Sequence, residues 1–118
     1  MDAEGLQDLF RPLGPVQTRR MFSGFGIYHD GLIVAVMMRG ELYLKGDDAT
    51  LAAYEAAGAS HWVYEHRKTK KPVAMPYWKL PESAYDDEDE FVALARLALG
   101  AARRAGVKVA KPKPKKKR

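Results

Sequence analysis

The sequence predicts an α+β domain in two layers, an antiparallel sheet of five to six strands with helices packed on it, in the order α-β-β-β-α-β-β-α. Three observations predict it. Apolar residues recur with a helical period near both ends, at Leu6, Leu9, Phe10 and Leu13 and again at Phe91, Leu94, Ala95, Ala98 and Ala102. The stretch between them holds short runs rich in β-branched and aromatic residues. The turns joining those runs are too short for parallel crossovers, so neighbouring strands run antiparallel and the helices take one side.

The first helix is expected over Asp2–Leu13 and ends at Pro12 and Gly14-Pro15, which do not favour its continuation. Val16–Met21 reads as extended, and Phe22, Phe25, Ile27 and Tyr28 continue it across breaks at Ser23-Gly24 and Gly26. Asp30-Gly31 is a hairpin signal between apolar runs. Leu32–Met38 is nearly continuous in apolar character, as a central strand is, and Glu41–Lys45 alternates beyond a turn at Arg39-Gly40. Asp47 and Asp48 are the expected cap of an Ala-rich helix over Ala49–Ala57, with Leu51, Ala52 and Tyr54-Glu55 on its covered face and Gly58 as its stop. Trp62–Tyr64 and Val73–Trp78 are two further strands around a polar loop, Glu65–Lys71. The last helix starts in a carboxylate cluster, Asp86–Glu90, which the helix dipole favours. Asp87 and Glu90 have capping-box spacing, and Gly106 closes the helix behind Arg103 and Arg104.

Composition bounds the function classes. A chain of 118 residues fits one domain, expected over 1–106. There is no cysteine, which excludes disulfides, thiol catalysis and the usual structural zinc sites. The acidic start resembles no signal peptide, and the longest apolar run, Leu32–Met38, is too short to cross a bilayer, so no membrane is expected and a cytoplasmic location is. Seven of the 20 Lys and Arg lie in residues 107–118, which hold no Asp or Glu. Residues 1–106 therefore carry 13 cations against 15 carboxylates, net −2. The basic character belongs to a Lys/Pro tail, expected to be disordered.

No constellation of catalytic residues emerges. Gly24-Phe25-Gly26 lacks the third glycine and following helix of a dinucleotide loop, and reads as a bulge or close backbone approach. His29, His61 and His66 have no metal-ligand spacing, and no Ser or Thr stands in a nucleophile setting. No cofactor or metal is expected, and no enzymatic activity. The aromatics Phe22, Phe25, Tyr28, Tyr43, Trp62, Tyr64, Tyr77 and Trp78 lie mostly on predicted strands, where a sheet core accounts for most of them; a base-stacking platform would need several exposed on one face. Arg19 and Arg20 are adjacent on a strand and so point to opposite faces, with a structural salt bridge as the ordinary role and contact with a partner as the other. The loop cations Arg67, Lys68, Lys70 and Lys71 and the tail residues Lys113, Lys115, Lys116, Lys117 and Arg118 are candidate contacts to a partner or a phosphate backbone.

Arg20-Met21-Phe22-Ser23-Gly24-Phe25-Gly26-Ile27-Tyr28 resembles the signature of the TfoX/Sxy N-terminal domain family. Leu13-Gly14, Glu41–Lys45, Met75–Pro81 and the acidic start of the last helix resemble the same family in the same order, over about residues 4–104. The signature positions Met21, Phe22, Gly24, Gly26, Tyr43, Lys45, Tyr77, Leu80 and Pro81 are expected to be structural. Ser23 stands where the family has Gly, and His61–Tyr64 is a conservative version of its aromatic element. The resemblance implies a two-layer fold and a bacterial, non-enzymatic regulator of transcription and DNA-uptake competence. Full-length members are thought to act with a cAMP-receptor-type activator at promoters. A transcription-associated protein partner is thus expected. Direct, weak nucleic-acid binding through the tail and the Arg67–Lys71 loop is the alternative.

Overall fold

Short turns with left-handed residues organise the sheet. The structure, a computed structural model, describes residues 2–21 and 24–106. The strands are β1 (Gln17–Met21), β2 (Gly24–His29), β3 (Leu32–Met38), β4 (Glu41–Lys45), β5 (Ser60–Glu65) and β6 (Pro72–Lys79). Asp30 and Gly31 adopt φ of 55° and 82°, and Arg39 and Gly40 adopt 54° and 78°. Positive φ at both central residues matches the right-handed twist of the flanking strands, so β2, β3 and β4 form an antiparallel meander. The sheet order is β1-β2-β3-β4-β6-β5, antiparallel throughout. The first extended stretch is thus two strands, β1 and β2, and brings the sheet to six.

Among the described residues there are three α-helices: α1 (Ala3–Leu9), α2 (Leu51–Ala57) and α3 (Glu88–Ala105). The carboxylate of Asp2 accepts the Gly5 N–H at 2.9 Å and caps α1. The helix ends before Leu13, and Arg11–Leu13 is a 3-10 turn with Pro12 at its start. Helix α2 also begins later than expected. Asp47 and Thr50 bond to each other: Thr50 Oγ1 accepts the Asp47 N–H at 2.9 Å, and Asp47 Oδ1 accepts the Thr50 N–H at 3.2 Å. That turn consumes the expected cap, so Thr50 precedes α2 without a side-chain capping bond. Leu51 and Ala52 face solvent, and Tyr54 carries the helix's burial. In α3, Asp87 accepts the Glu90 N–H at 3.0 Å. Glu90 does not complete the box; its carboxylate accepts from Ser83 Oγ at 2.9 Å and ties the preceding 3-10 turn, Glu82–Tyr85, to the helix.

All three helices contribute side chains to one core. Leu6 and Phe10, Tyr54, and Phe91, Leu94, Ala95 and Ala98 meet Ile27, Val34, Leu42, Leu44 and Trp78 from the sheet. Phe10 and Phe91 pack edge to face with centroids 5.0 Å apart. Each large apolar side chain fully buried here contributes about 1.5–3 kcal/mol, which explains why short helices with modest propensity are held in place. The register makes the sidedness explicit. Thr18, Ile27, Ala35, Leu44, Trp78 and His61 form one row across six strands on the helix side.

Candidate interaction surface

The adjacent row points the other way. Arg19, Gly26, Val36, Tyr43, Lys79 and Ser60 are paired in succession across all six strands. Met21, Gly24, Met38 and Glu41 form the next row, and Lys45 pairs with Tyr77. Among the described residues no helix lies on this face, because all three are committed to the core on the other side. Met21, Met38, Tyr43, Lys45, Trp62, Met75 and Tyr77 are accordingly only half-buried.

The face is concave over β4, between the β5–β6 hairpin on one side and β2 and β3 on the other. A groove of about 300 Å³ is lined by Met21, Gly24, Val36, Met38, Trp62, Met75 and Tyr77, with almost no polar surface. Its floor depends on Gly24. A Cβ there would overlap the Met37 carbonyl, so no side chain fits without separating β2 from β3. Trp62 and Tyr77 form the groove's wall, and Tyr43 packs against Trp62 beside it. Tyr43 and Trp62 have centroids 5.1 Å apart and Trp62 and Tyr77 6.3 Å apart, both tilted. The Lys45 ammonium lies over the Tyr77 ring, 5.4 Å from its centroid. Burial lowers the pKa of Lys45, partly offset by the charge of Asp47. Burial raises the pKa of the Tyr77 hydroxyl, with the nearby Tyr28 adding to it. Glu41 is neutralised by Lys79, Nζ to Oε1 at 3.3 Å.

The expected contact residues fall in different places. Arg19 is exposed on the uncovered face, at the β1 edge. Arg20 is on the helix side of that edge, with its guanidinium 5.8 Å from the centroid of Phe25. Neither makes the expected salt bridge among the described residues; Arg20 has a ring for a partner instead. Arg67, Lys68, Lys70 and Lys71 are exposed at the β5–β6 hairpin loop, away from that pairing row. His66 orders this loop: its Nδ1 accepts the N–H groups of Lys68 at 3.2 Å and Thr69 at 3.3 Å. The tail cations Lys113, Lys115, Lys116, Lys117 and Arg118 and the signature residue Phe22 lie outside the described residues. Of the other signature positions, Met21, Gly24, Gly26, Tyr43, Lys45 and Tyr77 are on the uncovered face, whereas Leu80 is buried in the core and Pro81 precedes the 3-10 turn.

The aromatics correct a second expectation. Trp78 is in the core, stacked between Tyr54 at 5.4 Å and His61 at 3.9 Å. Tyr43, Trp62 and Tyr77 instead line the open face, and Tyr64 is 44% exposed beside them. Sequence reasoning also missed Val36, Met38 and Met75 as part of a surface. The signal was the alternation Val73, Met75, Tyr77, Lys79, which sets an apolar face on β6 opposite Trp78.

Among the described residues no group of three His, Cys, Asp or Glu is placed to hold a metal ion. A cleft of about 460 Å³ between the α1 end and the α3 start is open and lined by Asp8, Arg11, Tyr85, Asp86 and Glu88. Arg11 is already paired with Asp8. No helix among the described residues is long and apolar enough to cross a membrane.

The sequence that forms this sheet, with its signature motif at the β1–β2 hairpin, matches a known family. The chain belongs to the TfoX N-terminal domain family, whose model matches residues 8–102. It is similar to Protein Sxy of Escherichia coli (strain K12), 26% identical over 96 residues, which is 81% of this chain and 45% of that protein. The chain therefore spans less than half the length of this curated relative.

Proposed function

We propose that this chain is a non-enzymatic regulatory module that works by binding another protein, in the control of transcription and, by its family, of DNA-uptake competence. One observation carries the reading: an apolar, aromatic sheet face that the domain's own helices leave uncovered. A domain of this size has helices enough to cover one face, and contiguous apolar surface left in water marks an interaction site. Membership of the TfoX N-terminal domain family supports the regulatory part of the reading. Around the groove Glu41 is paired with Lys79 and Lys45 lies over the Tyr77 ring.

The test is affinity capture from a bacterial lysate by the full chain, with and without nuclease. The expected result is a transcription-associated protein that survives nuclease treatment. Capture that vanishes with nuclease, or that brings down no such protein, overturns the reading. DNA affinity measured against salt, for the full chain and for a chain ending at Gly106, separates the nucleic-acid alternative. Binding carried by the tail would show a log–log slope of at most about −6 on duplex DNA and would be lost on truncation.

A further inference from the structure

We propose that the groove between the β5–β6 hairpin and β2–β3 binds an acidic, amphipathic segment of the partner protein, with apolar side chains in the groove and carboxylates against Arg19 and Lys45. The inference deepens the reading above and rests on it.

The lining sets the first requirement. Met21, Met38 and Met75 surround a floor of Val36 and Gly24, and Trp62 and Tyr77 form the wall. A site with so little polar surface gains from apolar anchors. At about 300 Å³ it is at the small end of ligand pockets and holds a few side chains. Three unbranched thioethers adapt to differing anchor shapes, as methionine-lined helix grooves do.

Charge sets the second requirement. Residues 1–106 are net −2, yet this face presents cations. Glu41 is the one carboxylate in its rows, and Lys79 neutralises it. Arg19 and Lys45 have no ion pair among the described residues. Asp47, the carboxylate nearest to Lys45 in sequence, is bonded to Arg104 at 2.7 Å. Half-burial makes the Lys45 charge costly, and a partner carboxylate would offset that cost.

The same features disfavour other occupants. A second copy placed face to face about a two-fold axis brings cations against cations. A single-stranded nucleic acid needs free ring faces and a track of cations. Here Tyr43 and Tyr77 both pack against Trp62, and Lys45 lies over the Tyr77 ring.

The experiment uses the full chain labelled with 13C at the methionine methyls. Probes are a synthetic peptide of about 16 residues, roughly four helical turns, with Leu at i, i+3, i+4 and i+7 and Glu elsewhere; its counterpart with Lys for Glu; and an oligothymidylate. The acidic peptide is expected to shift the Met21, Met38 and Met75 methyls and leave Met37, buried in the core, in place. The double variant Arg19→Glu/Lys45→Glu should weaken it by about tenfold or more and bind the Lys peptide better. Both substituted side chains reach solvent, and an unchanged Met37 methyl reports an intact fold. Met75→Glu, read the same way, should abolish the shifts. Unmoved groove methyls, equal binding of both peptides, or shifts caused by the oligothymidylate instead would overturn the proposal. Lysate capture repeated with Met75→Glu separates the two readings. A nuclease-resistant partner still held by that variant defeats the groove and spares the module. Peptide shifts with no partner captured do the reverse.

Discussion

Gly46→Ala tests whether the stack behind the sheet is as rigid as its geometry requires. Gly46 follows β4 and donates its N–H to the Pro76 carbonyl at 3.0 Å. A Cβ there would stand 2.5 Å from two ring carbons of Trp78 and 2.8 Å from Cε2 of Tyr54. Carbon atoms in good contact are about 3.5–4.0 Å apart, so three contacts overlap by about an ångström or close to it. Neither ring can yield easily. Trp78 is 4% exposed and stacked on both sides, by Tyr54 and His61, and Tyr54 is fully buried with its hydroxyl donating to the Lys45 carbonyl at 2.6 Å. Overpacking of this kind costs about 1–3 kcal/mol, and three simultaneous overlaps place it near the upper end. A stiffer unfolded chain returns about 0.4–1 kcal/mol. The net expectation is a loss of about 2 kcal/mol, which for a domain of this size lowers Tm by roughly 8 °C or more. Urea and thermal unfolding followed by far-UV circular dichroism measure it. The informative control is the same substitution in a Trp78→Leu background, where the two overlaps with Trp78 are gone and Tyr54 has room to shift, so the added cost should fall to less than about half, a coupling expected only of residues in contact. A drop under about 2 °C, or an equal penalty in both backgrounds, refutes the rigid-stack reasoning.

Three further outcomes are expected from the hydrogen bonds of the folded chain. Tyr54→Phe removes a buried donor and should cost about 1–2 kcal/mol in urea unfolding at neutral pH; because burial raises the Tyr54 pKa far above the usual phenol value, it contributes stability that is lost as pH rises past about 10, and the variant should show a shallower alkaline decline. The hydrogen bond from Arg104 holds the Asp47 carboxyl below its ordinary pKa, so the contribution is present above the unfolded value of about 4 and is lost as pH falls through the lower folded value; the Tm difference between the parent chain and Asp47→Asn should be flat above about pH 5 and shrink in acid. Asp87→Ala removes the side-chain acceptor at the start of α3 and should cost about 1 kcal/mol by urea unfolding, whereas Glu90→Gln, which keeps an acceptor for Ser83, should cost less than half of that.

Local chemistry was legible in the sequence wherever neighbours in the chain make the structure. Asp30-Gly31 and Arg39-Gly40 determine two turns by themselves, because positive φ is needed within two residues. The stripe from Phe91 to Ala102 determines α3, since its burial follows from a period of 3.6. The signature from Arg20 to Tyr28 was enough to point to the family. What only the tertiary structure decided is which side of the sheet the helices take. Strand alternation labels two faces but does not say which is covered, and Val36 and Met37 are both buried although they point opposite ways. That choice rests on contacts between distant segments: Phe10 with Phe91, Tyr54 with Trp78, and Leu80 with Leu42, where the Leu80 N–H donates to the Leu42 carbonyl at 2.8 Å. Once they put all three helices on one side, Tyr43, Trp62 and Tyr77 were left on the other, and an aromatic set that reads as core in sequence became a surface.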